Sequence, residues 1–112
     1  MPTIVQSVEN WYESNVDRLK TEWEALSIRS QASADLVHGK VEIRAESSSV
    51  AASITLWNKG EVTVLRLDLP AKREAVVDDR KVSASEDVCL LLNSYFRQLA
   101  SRFWQFDGLK HP

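Results

Sequence analysis

The chain is poor in the residues that build chemical sites. Its 112 residues include one cysteine, two histidines and three glycines. The lone cysteine, Cys89, excludes an intramolecular disulfide framework and points to a reducing compartment. Three glycines leave little for a phosphate-cradling loop, and the sequence has no zinc or haem spacing and no HExxH motif. His38 precedes a strand with no nucleophile or base beside it, and His111 adjoins the final proline, so neither reads as catalytic. No catalytic, metal or cofactor residue is expected. No apolar run approaches the roughly 20 residues of a membrane helix. The opening MPTIVQSVENWYES lacks the basic and apolar regions of a signal peptide. A cytoplasmic protein is the expectation. Basic charge gives no surplus either: the net charge is −2 and the pI about 5.7. The pairs Lys72-Arg73 and Arg80-Lys81 are interleaved with acids and lack an aromatic stacking platform, which argues against nucleic acid.

What is present is an ordinary globular balance, 44% hydrophobic and 27% charged, enough for a single domain over residues 1–112 with one core. Val8, Trp11, Tyr12, Asn15, Leu19, Trp23 and Leu26 recur at three- and four-residue steps, which predicts an amphipathic helix from residue 7 to about 28, with Ser7 as a cap. Residues 29–39 read as a connection. From Lys40 the period changes to two. Val41, Ile43 and Ala45 define one strand, and Ala52, Ile54 and Leu56 a second. A third covers 61–69, with Thr63, Leu65, Leu67 and Leu69 on one face and Val62 and Val64 on the other. Asn58-Lys59-Gly60 suits a three-residue hairpin whose glycine is left-handed. Pro70 ends the third strand, and residues 74–82 allow a short fourth. Ser83 with Glu86 fits a capping box, Ser85 being the alternative cap, before a helix carrying Val88, Leu91, Leu92, Tyr95 and Leu99. The prediction is an α+β fold: an antiparallel sheet of three or four strands with a long N-terminal and a long C-terminal helix packed on it. Its expected core contains Trp11, Leu19, Trp23, Ile54, Leu65, Leu67, Leu92 and Leu99. Cys-Leu-Leu-Leu places Cys89 in that core as an inert thiol.

Two features are left over. Trp57 faces away from Ile54 and Leu56. It is either an interface anchor on the hairpin or packed on a helix across the sheet. Acidic side chains gather late in the chain: Asp68, Glu74, Asp78, Asp79, Glu86 and Asp87. They form either a solvated face or a surface for a basic partner. Asp78-Asp79 as a metal site is the weaker reading, because neighbours on a strand point to opposite faces.

The order NWYESNVDRLK, a polar break, SSSVAASITLW, NKGEVTVLRLDL, a charged segment and SASEDVCLLLNSYFRQL resembles the TriTu-type immunity proteins of bacterial polymorphic-toxin and contact-dependent inhibition loci. The likeness covers roughly residues 8 to 100. It implies a cytoplasmic protein that binds a cognate toxin C-terminal domain and blocks it by occlusion. No catalytic residues transfer, and toxin-facing residues differ between cognate pairs. From the residues themselves, the expected toxin contact is Asp68, Glu74, Asp78, Asp79, Glu86 and Asp87, with Trp57 and Lys59 as contributors. The resemblance implies that the toxin is a nuclease, and carboxylates there would mimic the phosphates that its cleft binds. Charge reversal at Asp78 and Asp79 should slow association and leave the fold intact. The alternative is a small acidic secretion chaperone, a dimer holding an effector segment, for which an exposed apolar helix face would be the sign. A small enzyme lacks an acid–base pair. A homodimer stands beside the monomer as an expectation.

Overall fold

The computed structural model describes residues 3–31, 38–82 and 87–100. Helix α1 (Ile4–Leu19) leads into a five-stranded meander and helix α2 (Val88–Ala100) closes it. The strands are β1 (Ala25–Gln31), β2 (Lys40–Glu46), β3 (Val50–Trp57), β4 (Glu61–Asp68) and β5 (Arg73–Lys81). Each pairs antiparallel with the next, in the order β1-β2-β3-β4-β5. The α+β class and the antiparallel sheet stand as expected, and the strand count is corrected to five.

The first correction is at the N-terminus. Helix α1 starts at Ile4, not near residue 7, because Thr3 and Gln6 form a capping box. The Thr3 hydroxyl accepts from Gln6 N at 3.1 Å, and Gln6 Oε1 accepts from Thr3 N at 2.9 Å. Asn58 Oδ1, in the β3–β4 turn, accepts from Val5 N at 2.9 Å and satisfies another orphan donor of that turn. The helix stops at Leu19 rather than 28. Trp23 is still buried, but in the turn that follows, and residues 25–31 form an edge strand. Its inner positions Leu26 and Ile28 continue the core rows of β2.

Cross-strand register builds the core face. Ile28, Ile43, Ile54 and Val64 stand in line across β1 to β4, and Val41, Leu56 and Val62 form a second line. Both helices cover this face. Trp11 stacks on Phe96 at 5.4 Å between ring centroids, and Trp23 meets the same ring edge-on at 6.4 Å. Trp11, Leu19, Trp23, Ile54, Leu92 and Leu99 are buried as expected. Leu65 and Leu67 are not: the faces of β4 are reversed, with Val62, Val64 and Arg66 turned to the helices and Leu65 and Leu67 half-buried on the other side. The pairing of Val64 with Ile54 fixes this, and a one-residue register defines the face of every side chain on a strand. Arg66 tolerates the interior because its guanidinium Nη1 donates to Leu99 O at 2.6 Å, in the last turn of α2. Burial pushes its pKa below the ordinary arginine value and Asp68 pulls it back. Gly60 has φ +105°, the left-handed region expected of the hairpin.

Helix α2 begins at Val88, where Asp87 caps it. Its Oδ1 accepts from Cys89 N at 2.9 Å, and its carbonyl oxygen accepts from Leu91 N at 3.0 Å. Ser83, Ser85 and Glu86, offered above as caps, lie outside the described residues. The Cys89 expectation is overturned: the thiol is exposed. It and Leu90 point outward from the first turn, while Val88 and Leu91 pack on the core. Labelling of the native protein by a thiol reagent is therefore expected to run within about a few-fold of the rate for the unfolded chain, since access no longer limits it. Labelling that accelerates sharply only on unfolding would contradict this placement.

Candidate functional site

The helices occupy one face of the sheet, and among the described residues nothing covers the other, which carries its side chains outward. Along β2 these are Lys40, Glu42, Arg44 and Glu46; along β3, Ala51, Ser53, Thr55 and Trp57; along β4, Thr63, Leu65 and Leu67. Small side chains of β1 and β3 leave a shallow concavity of about 620 Å³ at one end, lined by Ala25, Ser27, Ala51, Ser53 and Leu67. Trp57 stands at the opposite end of the same face. It is half-buried, with Lys40 Nζ 6.0 Å above its ring. Of the two sequence readings, packing on a helix is excluded for Trp57, since both helices lie on the far side.

A β-bulge shapes the outer margin. Asp78 pairs with Val64 but Val76 pairs with Leu65, so Val77 is extra. Strict alternation would put Asp78 on the same face as Val76. The bulge re-aims it to the helix side, where Asp78 Oδ2 accepts from the Tyr95 hydroxyl and from Arg80 Nε at 3.0 Å. Asp79 returns to the open face and is exposed, with Thr63 Oγ1 3.5 Å from its Oδ1. Val76 remains 55% exposed on the open face, a large apolar side chain without cover.

The proposed contact residues therefore do not share one surface. Trp57, Glu74 and Asp79 are on the open face. Lys59 is in the β3–β4 turn, its Nζ 3.1 Å from Glu61 Oε1. Asp68 ends β4 on the helix side beside Arg66, and Asp87 caps α2. Glu86 lies outside the described residues. Glu74, Asp78 and Asp79 belong to β5, an edge strand. The expectation that reversing both Asp78 and Asp79 spares the fold is corrected: Asp78 ties β5 to α2, and only Asp79 is a clean surface position. Two participants went unnoticed in the sequence. Tyr95 was read as part of an apolar stripe, although buried tyrosine hydroxyls generally find a partner. The alternating signs of Lys40, Glu42, Arg44 and Glu46 are legible in the sequence, but there the alternation served only to define a strand.

The Tyr95–Asp78 contact has a pH signature. Burial first, then the hydrogen bond to Asp78, raise the Tyr95 pKa well above its ordinary value. The folded state therefore holds the phenol protonated where the unfolded chain, with its tyrosine near 10, has begun to ionise. Stability from this group is complete below about pH 10 and declines as pH rises through the higher folded value. Denaturation midpoints are expected to fall more steeply above about pH 10 in the native protein than in Tyr95→Phe. Parallel curves would show that the phenol ionises equally in both states.

His38 is exposed in the turn before β2. Among the described residues, no three of His, Cys, Asp and Glu group as metal ligands, and no helix is long and apolar enough to cross a membrane. No family model, curated protein or solved structure matches the chain.

Proposed function

We propose that this protein is a cytoplasmic immunity protein that binds the C-terminal domain of a cognate bacterial toxin and occludes its active site. It acts by contact and not by catalysis. The observation that carries this reading is the β5 margin. There an exposed edge strand presents Glu74 and Asp79, with Asp87 at the start of α2. An edge strand offers unpaired backbone groups to a partner chain, and exposed carboxylates beside it suit the basic cleft of a nuclease. Their charge would speed encounter and give it salt dependence. The same charges also discourage edge-to-edge aggregation, so mutation has to separate the two roles.

The test uses binding kinetics with the toxin domain encoded beside this chain. Glu74→Lys with Asp79→Lys should lower the association rate by about tenfold at low salt and flatten its salt dependence. The denaturation midpoint should stay unchanged, because neither side chain holds the core. Equal association rates for native and variant protein would remove β5 as the contact. The chaperone alternative called for an exposed apolar helix face. On α2 Leu90 is 66% exposed, but Leu92, Phe96 and Leu99 are buried, so the immunity reading is preferred.

A further inference from the structure

The open face of the sheet has a pattern of which the toxin reading uses only Glu74 and Asp79. Its side chains fall in four rows running across the strands. From one end these are Ala25, Glu46, Ala51, Leu67 and Glu74; then Ser27, Arg44, Ser53, Leu65 and Val76; then Arg29, Glu42, Thr55, Thr63 and Asp79; and last Lys40, Trp57 and Lys81 among others. Reversing the row order puts opposite charges together on β2 and at the ends of β5, although on β4 Leu67 then exchanges with Glu61 and on β5 Val76 with Asp79. On β2, Glu46 exchanges places with Lys40 and Arg44 with Glu42. On β5, Glu74 exchanges with Lys81. On β3, the small Ala51 exchanges with Trp57.

A two-fold axis that lies in the plane between two stacked faces and runs across the strands performs this reversal. We propose that a second copy of this chain docks on the open face about such an axis, between the Ser53 and Thr55 rows. Lys40 of each copy then meets Glu46 of the other, Arg44 meets Glu42, and Lys81 meets Glu74. Trp57 of each copy enters the concavity beside Ala51 of the other, the only large side chain of β3 on this face filling the hollow left by its small ones. Leu65 and Val76, which the monomer leaves half-buried and exposed, are covered next to the axis, and half-buried Leu67 is covered at the end of β4.

Aligned sheets stack about 10 Å apart and cross at about −30°, and the long side chains of lysine, arginine and glutamate span the lateral offset this introduces. The size is adequate. Five strands at about 4.8 Å spacing and about seven residues long make a face of roughly 24 by 24 Å. Its corrugated surface brings it near the roughly 800 Å² per partner of a specific interface. The monomer already contains an Arg44–Glu42 pair, at 3.0 Å. An exposed pair of this kind contributes little on its own and does not compete strongly with contacts across the axis. Stacking also leaves the backbone edge of β5 in both copies open. The proposal does not rest on the immunity reading, although stacking would cover Glu74 and Asp79, so a toxin bound there would displace the second copy. Lys40 and Glu46 are on β2, three strands from β5, and their swap tests the dimer alone.

The experiment is sedimentation equilibrium of the full chain up to about 500 μM, compared with Lys40→Glu, Glu46→Lys and the double swap. The native protein should approach twice its 12.7 kDa mass. Each single variant places like charges together twice per dimer and should weaken association by about tenfold or more. The double swap should restore it to within about threefold. Within one chain the two residues are six positions apart on an extended strand, about 20 Å, so rescue cannot arise inside the monomer. Circular dichroism confirms that each variant is folded. A monomer at every concentration, as expected if the face is kept for a foreign partner, overturns the proposal. So does a dimer that the single variants leave intact or that the double swap fails to restore.

Discussion

Trp11→Ala is expected to lower the unfolding free energy by about 3–5 kcal/mol, the usual range for removing a buried tryptophan. Trp11 is 4% exposed and stacks on Phe96, and its indole Nε1 donates to Asn93 Oδ1 at 3.1 Å. The ring thus links α1 to α2, two elements far apart in the sequence. Truncation would leave a cavity, strand the Asn93 oxygen and loosen Phe96, which also contacts Trp23. Domains of this size hold only about 5–15 kcal/mol in total, so the variant should be marginal at 37 °C. Trp11→Phe keeps most of the buried area and should cost clearly less. Urea denaturation monitored by circular dichroism measures both. A loss below about 1 kcal/mol for Trp11→Ala would mean that the helices do not depend on this contact.

Arg66→Ala is the second large effect, expected at about 3 kcal/mol or more. Arg66 is 6% exposed and bridges β4 to the end of α2 through Leu99 O. A cation at a helix C-terminus also meets the negative end of the dipole. Alanine would remove that charge, open a void between sheet and helix, and leave a last-turn carbonyl without its donor. Arg66→Met retains the volume but not the hydrogen bond and should recover part of the loss. If alanine and methionine are both neutral, the buried guanidinium contributes nothing net, and α2 is held by its apolar face alone.

These two residues mark where sequence reading succeeded and failed. The strands β2 and β3 were legible because Val41, Ile43, Ile54 and Leu56 alternate cleanly with polar residues. The apolar stripes of α1 and α2 named most of the helical part of the core. Strand β1 was hidden because Trp23 and Leu26 happen to continue the helical spacing of Leu19. No glycine or proline marks the true stop at Lys20, and an edge strand needs only Leu26 and Ile28 inward. The faces of β4 were misread because Leu65 and Leu67 are more apolar than Val64 and Arg66. Long-range pairing with Ile54 and the partner of Arg66 on α2 decide the matter, and neither is local. Asp78 was misjudged for a similar reason: a bulge at Val77 turns it inward, and alternation cannot anticipate an extra residue. At the candidate site, the sequence named the acids of β5 but could not show that the described helices both lie on one face of the sheet.

The central claim, neutralisation by direct contact, is tested most directly in cells that express the toxin domain encoded beside this chain. Survival should depend on co-expression of the chain, and a complex of the two should persist through gel filtration. The Glu74→Lys, Asp79→Lys variant should protect less well while remaining folded. If cells die whether or not the chain is present and no complex forms, the immunity account is wrong.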